Sequence, residues 1–278
     1  MGIGLLSGKK GIIFGVVDDN SIAWAIARKC IDEGAQIILT NTKNAILLGN
    51  VKDLAKKINT PIIECDATNL DDIQNLFKQS INLLGGKIDF ILHSIGMSQN
   101  LRRRKNYDNI NYKYFEQTID ISAFSLHKIL QVAKSNDFIN YHGSIVALSY
   151  IASHRYVCGY NDMSAAKAIL ESIVQNFGAI YAQSHKVRIN TISQSPTFTR
   201  AGSNFNGFKY FYDFTEHMAP LGNADANDCA NLCVVLFSDY TKKLTMQNFY
   251  NDGGFSLTAM SEKFIDYFKD NSHSHFNE

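Results

Sequence analysis

Short apolar runs alternate with segments of helical periodicity along most of the chain. The apolar runs are bounded by glycine or polar residues, which is typical of strands that are buried on both faces. The runs that we predict to be strands are Gly11–Gly15, Gln36–Thr40, Pro61–Cys65, Lys87–His93, Gly143–Leu148, Val187–Ile192 and Met246–Tyr250. The segments that we predict to be helices are 21–35, Asn69–Leu84, Asn111–Lys134, a long one from about Tyr160 onward, and Asp225–Phe237.

This alternation predicts an α/β fold: a mostly parallel, doubly wound sheet of about seven strands with helices on both faces. A chain of 278 residues with three prolines and no linker-like stretch suits one Rossmann-type domain. We therefore expect a single domain over residues 1–260 and a polar tail over residues 261–278. The tail contains His273 and His275, and we expect it to be frayed and to bind no metal.

Charge and cysteine usage narrow the possible partners and the compartment. The chain has 27 basic and 26 acidic residues, so it lacks the positive field that recruits nucleic acid or an anionic membrane. No apolar run reaches the about 18 residues of a membrane span, and the N-terminus lacks a signal-peptide pattern. Of the five cysteines, only Cys229 and Cys233 lie close together, which favours small buried residues over a zinc site. We expect a soluble, cytoplasmic protein without a metal.

The first strand, the turn after it and the first helix form a candidate dinucleotide site. In doubly wound sheets this unit binds the pyrophosphate, because the helix N-terminus offers free N–H groups and a positive dipole end. Either Asn20 or Ser21 can serve as the helix N-cap. Of the G-x-G-x-x-G fingerprint only Gly15 is present, and the loop contains two aspartates. By this fingerprint alone the signal is weak.

Small and hydroxyl residues follow several of the predicted strands. Ligands of such sheets bind beyond the carboxyl ends of the strands, so these residues are expected at one edge. They are Gly15, Thr40, Asp66, Ser94–Gly96, Leu148–Tyr150 and Ser193–Thr197.

Two tyrosines and a lysine are predicted at the same carboxyl edge of the sheet. Nine residues separate Tyr150 from Tyr160, and six separate Tyr160 from Lys167. Seven positions are close to two helical turns, so we predict that Tyr160 and Lys167 share one helix face. An ammonium beside a phenol lowers the phenol's pKa, which suits a general acid. Considered alone, the pair also fits a packed tyrosine and a solvated lysine; its position at the presumed nucleotide edge favours catalysis.

These motifs resemble those of the short-chain dehydrogenase/reductase superfamily, and most closely its bacterial type I enoyl-acyl-carrier-protein reductases. The matching segments read GVVDDNSIAWAIA, CDA, LHSIGMS, ALSY…GYNDMSAAKA, VRINTISQSPTFTRAG, PLGNA and NDGGFS, and extend from about Gly8 to Ser256. Ordinary members of the superfamily place the tyrosine four positions before the lysine, where this chain has Met163. The spacing therefore favours an enoyl reductase over a carbonyl reductase.

The resemblance implies a reaction and a cofactor. It implies conjugate reduction of a trans-2-enoyl thioester, with hydride delivered from NADH to the β-carbon. Tyr160 would donate a hydrogen bond to the thioester oxygen, Lys167 would hold the nicotinamide ribose, and Ser98 would lie beside the substrate. Tyr150 matches the second active-site tyrosine and would line the acyl pocket or support proton transfer; a structural role is the alternative.

The resemblance also assigns the remaining cofactor contacts. They are Gly15, Ser21 and Ile22 at the pyrophosphate, Asp66 and Ala67 at the adenine, Ser94, Ile95 and Gly96 near the cofactor's centre, and Thr197, Phe198, Thr199, Arg200 and Ala201 closing over the pyrophosphate. Thr42 falls where such enzymes discriminate between cofactors. The segment around it has no Asp or Glu for a ribose 2′-hydroxyl, and Lys43 could tolerate a 2′-phosphate. We expect NADH and leave NADPH open.

Two further segments and the function itself each have more than one interpretation. The resemblance predicts a flexible, ligand-ordered substrate loop at about 194–217, whereas a plain packed loop is the other possibility. The basic run Arg102–Lys105 suits either a docking patch for the acidic acyl carrier protein or a solvated loop. The resemblance suggests a homotetramer. A ketone or 3-oxoacyl thioester reductase, or a non-catalytic nicotinamide-binding regulator, are the alternative functions.

Overall fold

A computed structural model describes residues 2–200, 202 and 207–271 of the protein. Its described strands form one sheet of seven, in the order β3-β2-β1-β4-β5-β6-β7. Every neighbouring pair is parallel. The strands are β1 Lys10–Phe14, β2 Gln36–Asn41, β3 Ile62–Glu64, β4 Ile88–His93, β5 Ile139–Ser149, β6 Arg188–Gln194 and β7 Asn248–Asn251. The predicted α/β fold class is confirmed.

Helices connect the strands and lie on both faces of the sheet. They are α1 Ile22–Asp32, α2 Lys43–Leu48, α3 Val51–Lys57, α4 Leu70–Leu84, α5 Gln99–Arg102, α6 Tyr112–Ile119, α7 Ser125–Ser135, α8 Met163–His185, α9 Phe208–Met218, α10 Ala226–Phe237 and α11 Glu262–Asn271. A π-helical turn, Asp120–Phe124, joins α6 to α7. No helix of the described ranges is long and apolar enough to cross a membrane.

Two apolar clusters fill the space between the sheet and the helices. Along β1, Ile13 packs into the cluster under α1 and α10, whereas Ile12 and Phe14 pack into the cluster under α4, α7 and α8. Side chains of a strand alternate between faces, so a strand covered on both sides must be apolar throughout. This explains the unbroken apolar runs. Cys229 and Cys233 are buried in the α1–α10 layer, as predicted.

Several elements differ from their predicted form. The segment predicted as one helix over 111–134 is interrupted by the π-helical turn, which inserts one extra residue into the helical hydrogen bonding. The short helices α2, α3 and α5 and the substrate-loop helix α9 were not predicted, because four to eleven residues give little periodicity. Part of the tail that we expected to be frayed is helix α11, which packs against α9. His273 and His275 lie outside the described residues.

Candidate active site

Two adjoining cavities lie along the carboxyl edge of the sheet, with volumes of about 260 Å³ and about 520 Å³. The structure brings most of the predicted site residues to their walls. The larger cavity is lined by Gly15, Ser21, Ile22, Thr42, Ser94, Ile95, Gly96, Ser98, Tyr150, Tyr160, Lys167, Thr197, Thr199 and Arg200, and the smaller one by Gly15, Thr42, Asp66, Ala67 and Ile95. Gly15, Thr42 and Ile95 border both cavities, so the two form one continuous groove.

Two predicted residues are not among these walls. Phe198 has 52% of its surface exposed and packs its ring against Phe208 and Tyr212 at 5.0 and 4.6 Å. Ala201 lies outside the described residues. The substrate loop is therefore in part a packed aromatic cluster, with α9 as its core.

Gly15 forms the closest approach between the first turn and the strand beside it. Its φ is +98°, and a Cβ there would lie 2.0 Å from the carbonyl oxygen of Ser94. Only glycine fits, because any side chain would collide with the backbone of Ser94; the turn after β1 can therefore lie directly against the residue that follows β4, at the border of both cavities. The residues present therefore suit a dinucleotide despite the incomplete fingerprint.

Ser21 shapes the loop that leads into α1. Its side-chain oxygen accepts hydrogen bonds from the backbone N–H groups of Val17 and Asp18, at 3.2 and 3.1 Å, and its hydroxyl donates to the Asp18 carbonyl. Ser21 occupies the N-cap position without capping α1 through its side chain, and the first turn contains no acidic residue. The positive end of the helix is left for an anionic ligand, as a pyrophosphate requires.

The smaller cavity lies beyond β2 and β3. Asp66 organises its rim, since Oδ1 accepts from the Thr68 backbone N–H at 2.9 Å and from the Thr68 hydroxyl at 2.7 Å. Thr42 is the N-cap of α2, and its Oγ1 accepts from the Ala45 N–H at 3.4 Å. Lys43 is exposed and borders neither cavity. Of the 41–43 segment, Asn41 and Thr42 line both cavities.

Tyr160 does not lie on the central helix, so the predicted shared helix face is wrong. The helix begins at Met163, and Tyr160 belongs to the preceding turn, in which Asn161 has a φ of +54°. The fold nevertheless brings the tyrosine and Lys167 to the same cavity. Lys167 is buried, and its Nζ donates to the Leu148 carbonyl at 2.6 Å.

Burial sets the protonation of both groups. It raises the pKa of the Tyr160 phenol well above its ordinary value, the opposite of the lowering that we expected from the lysine. Burial also lowers the pKa of Lys167 to about 8, and the nearby carboxylate of Glu171 opposes this shift. Tyr160 is therefore a neutral hydroxyl donor near neutral pH, and the ammonium of Lys167, which lines the same cavity, is only moderately basic.

The ring of Tyr150 packs against that of Tyr160 at a tilt of 50°, with ring centroids 4.8 Å apart, and meets Phe211 edge-on at 6.3 Å. Its hydroxyl is buried and has no hydrogen-bond partner within the described part of the chain. Burial, and then the proximity of Tyr160 and Asp252, raise the pKa of Tyr150. A buried hydroxyl without a partner costs free energy, which a ligand oxygen in the cavity would recover.

Ser98 borders the larger cavity, but its hydroxyl is already engaged. It donates to Asp162 Oδ1 at 2.6 Å and accepts from the Leu101 N–H at 3.0 Å. Ser98 thus contributes to the wall of the cavity, and its hydroxyl is not free to bind a substrate oxygen.

Sequence reasoning missed much of the apolar wall. The additional residues are Met97, Leu101, Val157, Met163, Phe208 and Phe211. The aromatic spacing in FKYFYDF is the available signal, because Phe208 and Phe211 are three positions apart on α9. The loop residues carry no periodic pattern, so only their tertiary position reveals them.

The sheet order, the groove that Gly15 borders and the tyrosine–lysine site define a nucleotide-dependent oxidoreductase of the short-chain dehydrogenase/reductase type. The family model described as enoyl-(acyl carrier protein) reductase matches residues 15–256. The chain belongs to the enoyl-acyl-carrier-protein reductase family, as the sequence motifs predicted.

Curated relatives and solved structures agree with this assignment. The chain is 32% identical to enoyl-acyl-carrier-protein reductase (NADH) 1 of Rhizobium meliloti, over 92% of this chain and 93% of the relative. It is 33% identical to the NADH reductase FabI of Rickettsia bellii, over 94% and 99%. The FabI–NADH complex of Alistipes finegoldii has a similar structure, with a TM-score of 0.94, 51% identity, and coverage of 99% of this chain and 98% of that chain.

Proposed function

We propose that the chain reduces the trans-2,3 double bond of enoyl-acyl-carrier-protein thioesters with NADH, and that the larger cavity is the active site. The observation that carries the proposal is that Tyr160, whose raised pKa keeps its hydroxyl protonated, and the buried Lys167 line the same largely apolar cavity, which Gly15 also borders. The NADH named for the Rhizobium and Rickettsia relatives, and held by the Alistipes structure, supports the cofactor.

The proposed cofactor site extends along both cavities. Gly15 and the N-terminal turn of α1 would hold the pyrophosphate, Asp66 and Ala67 would border the adenine, and Lys167 would bind the ribose hydroxyls. When bound there, NADH supplies the hydride for the reduction. Asn41 and Thr42, the two residues of the 41–43 segment that line the cavities, are uncharged, which agrees with NADH as the cofactor.

Tyr160 stabilises charge that develops during the reaction. As hydride reaches the β-carbon of the enoyl group, negative charge accumulates on the thioester oxygen. The hydrogen bond from the Tyr160 hydroxyl to this oxygen is therefore stronger in the transition state than in the ground state. The raised pKa suits this role, because it keeps the proton on the donor before the reaction. Loss of one such donor costs about 10²–10³ in kcat.

Lys167 acts through position and charge. Its Nζ uses one proton on the Leu148 carbonyl, which aims the ammonium at the end of β5, and two further protons remain for the ribose hydroxyls. The ring of Tyr150 packs against Tyr160, and its hydroxyl has no hydrogen-bond partner among the described residues. We assign Tyr150 to the acyl pocket, where that hydroxyl can bind the thioester or a water molecule that returns the proton.

The experiment for the reaction is loss of NADH absorbance with crotonyl and longer 2-enoyl thioesters. NADPH and an acetoacetyl thioester run in parallel, and Tyr160→Phe is the matched variant because it removes only the hydroxyl. We expect enoyl-dependent oxidation of NADH that falls about 10²–10³-fold in the variant. Turnover of the ketone alone would identify a carbonyl reductase, and binding without turnover a regulator.

The acyl carrier protein would dock at the basic run Arg102–Lys105. Arg102 borders the larger cavity, and Arg103, Arg104 and Lys105 are exposed beside it. The guanidinium of Arg103 lies 5.1 Å from the ring centre of Tyr114, so part of the patch is held in place. Positive charge at the mouth of an acyl cavity suits an acidic carrier whose prosthetic arm enters there.

A charge reversal, Arg104→Glu with Lys105→Glu, separates docking from catalysis. We expect KM for the carrier-bound substrate to rise severalfold, most strongly at low salt, because rim charges act on association. KM for the crotonyl thioester of N-acetylcysteamine, which carries no phosphate, serves as the control in the same preparation and should change little. An equal rise for both substrates would place the effect in the cavity and refute the docking site.

We also propose that the protein is a homotetramer and that it is cytoplasmic. The resemblance suggests a homotetramer, and exposed apolar side chains around β7, including Leu244, Met246 and Tyr250, offer surface for contacts between subunits. All five cysteines are unpaired, which suits the reducing cytoplasm. Sedimentation velocity at micromolar concentration tests the tetramer, and a monomer at that concentration would refute it.

A further inference from the structure

Asp162 is a fully buried carboxylate beside the active site, and the roles assigned above do not use it. It lies two residues after Tyr160 and directly before α8, with none of its surface exposed. Its partners within the described residues are the neutral side chains of Ser98, Asn100 and Thr118. Burial of a carboxylate among neutral groups costs free energy, so stability alone does not account for its presence.

The hydrogen bonds of Asp162 join three separate pieces of the cavity wall. Oδ1 accepts from the Ser98 hydroxyl at 2.6 Å, and Oδ2 accepts from Asn100 Nδ2 at 2.8 Å. The Thr118 hydroxyl, on α6, lies 2.9 Å from Oδ2 and shares its single proton with the Tyr114 carbonyl at 2.8 Å. One carboxylate therefore ties the Tyr160 turn to the loop after β4 and to α6.

The orientation of the Asn100 amide is fixed independently. Its Nδ2 donates to the Asn111 carbonyl at 3.1 Å, and its Oδ1 accepts from the Asn111 N–H at 2.9 Å. Asn100 is fully buried, so it must present an N–H, and not an oxygen, to Asp162. Every hydrogen bond that links Asp162 to this network therefore points toward position 162, where the side chain must act as an acceptor.

A second contact holds the same turn to the same loop. The side-chain amide of Asn161 donates to the Lys105 carbonyl at 2.6 Å. Asn161 has a φ of +54°, a conformation that costs free energy and persists only where surrounding contacts impose it. Asp162 thus attaches the Tyr160 turn to the beginning of the 98–105 loop, and Asn161 attaches it to the end of that loop.

We propose that Asp162 is a positioning residue, which holds the Tyr160 hydroxyl in the place where it meets the thioester oxygen and fixes the 98–105 wall of the acyl cavity. The proposal rests on the role given to Tyr160 under the proposed function. Displacement of a reacting group by about 1 Å can cost 10²-fold in rate, so a carboxylate that never contacts substrate can control kcat.

Substitutions at position 162 separate the acceptor from the charge. Asp162→Ala leaves the Ser98 hydroxyl and one Asn100 N–H without an acceptor. In Asp162→Asn the new carbonyl oxygen can accept from Asn100, while the new amide donates to Ser98 Oγ, which also has a free lone pair. We expect kcat for a 2-enoyl thioester to fall about 10–100-fold in Asp162→Ala and to recover most of that loss in Asp162→Asn.

The decisive measurement is a double-mutant cycle with Tyr160→Phe. If Asp162 acts through the Tyr160 hydroxyl, Asp162→Ala lowers kcat in the wild-type background and has little further effect once that hydroxyl is absent. The NADH dissociation constant should stay within about twofold, because the Gly15 and Asp66 ends of the groove are outside the network. An equal loss of kcat in both backgrounds would overturn the proposal.

Controls distinguish positioning from loss of stability. Ser144→Ala removes a buried hydroxyl that donates to the Leu236 carbonyl at 2.7 Å and borders neither cavity. It should lower the melting temperature and leave kcat unchanged. If Asp162→Ala fails to fold, Asn161→Ala replaces it in the cycle, with the same expected dependence on Tyr160. Absence of enoyl turnover in the wild type would refute the proposed function itself, whereas wild-type turnover with an unaffected Asp162→Ala would refute only the role of Asp162.

Discussion

At the residue scale, desolvation decides how the active-site groups are charged. Sequence spacing places an ammonium near a phenol and favours a lowered tyrosine pKa, but burial raises the pKa of Tyr160 and lowers that of Lys167. Both shifts favour the uncharged form, because each group leaves water on folding. The site therefore works with a neutral hydroxyl donor and with an ammonium that loses its proton in mildly alkaline solution.

The pH dependence of NADH use follows from Lys167. With a pKa of about 8 in the free enzyme, the side chain is cationic below that pH and becomes neutral as the pH rises through it. We expect kcat/KM for NADH to fall above pH about 8, since this parameter reports the free enzyme. The Lys167→Arg variant stays cationic over this pH range. Its kcat/KM for NADH should therefore stay level above pH about 8, even if the value itself is lower than in the wild type. A wild-type profile that stays level well above the lysine's pKa would contradict the assignment.

The same shift has a consequence for stability. The lysine binds its proton more tightly in the unfolded chain, where its ordinary pKa is 10.5, than in the folded protein. Between the two values the unfolded state holds more protons, so this group makes the free energy of unfolding rise with pH. Activity and this part of the stability thus change in opposite directions above pH about 8.

At the element scale, the C-terminal helix α11 supports the helix that forms the acyl wall. Phe264 meets Phe214 edge-on at 5.6 Å, and Lys263 pairs with Glu216 at 3.2 Å. The Ser261 hydroxyl donates to the carbonyl of His217 at 2.5 Å. These contacts fix the outer side of α9, whose inner side carries the cavity residues.

Phe264→Ala tests this support. Loss of the ring loosens α9, and with it the wall formed by Phe208 and Phe211. We expect KM for a long-chain enoyl thioester to rise about fivefold, which corresponds to about 1 kcal/mol of binding free energy. The NADH dissociation constant should not change. Phe268→Ala is the matched control, because its ring is 58% exposed on the same helix; equal effects of the two substitutions would argue against the brace.

At the scale of the whole molecule, the sheet is stabilised at one end and carries the site at the other. Near the amino ends of β1 and β4, Phe90 stacks on Phe237 of α10 with ring centroids 4.6 Å apart. A Cβ on Gly11 would lie 2.2 Å from the Phe90 ring, so the glycine makes room for that ring. The cavities lie at the opposite, carboxyl edge, where loops replace packed layers.

Phe237→Ala should separate stability from function. The ring is buried, and its removal should lower the free energy of unfolding by about 3–5 kcal/mol, measured by urea denaturation. NADH binding at a temperature where the variant stays folded should be unchanged. Tyr240→Ala, at a residue that is 80% exposed nearby, should cost less than about 0.5 kcal/mol. A weakened cofactor site in the folded Phe237→Ala variant would show that the two ends are coupled.

Sequence alone determined the architecture and most of the site's membership. Short apolar runs such as Gln36–Thr40 suit strands that are buried on both faces, and their alternation with helices indicates a parallel sheet covered by helices. Residues that directly follow a strand, such as Gly15, Asp66 and Tyr150, must then lie at the ligand edge whatever the details of the loops. The motif spacing around Tyr160 and Lys167 indicated the family, and the family comparison confirmed it.

Tertiary structure decided the properties that depend on distant neighbours. Burial of Tyr160 and Lys167 depends on elements from across the chain, so the direction of the tyrosine's pKa shift could not be read from spacing. The partners of Asp162 lie 44 to 64 positions away along the chain, which no periodic pattern reports. Helix α11 looks like a polar tail in isolation, because only contact with α9 provides an apolar surface for Phe264. Local sequence patterns encode which faces are buried, and the assembled fold determines which polar groups meet and how strongly they are desolvated.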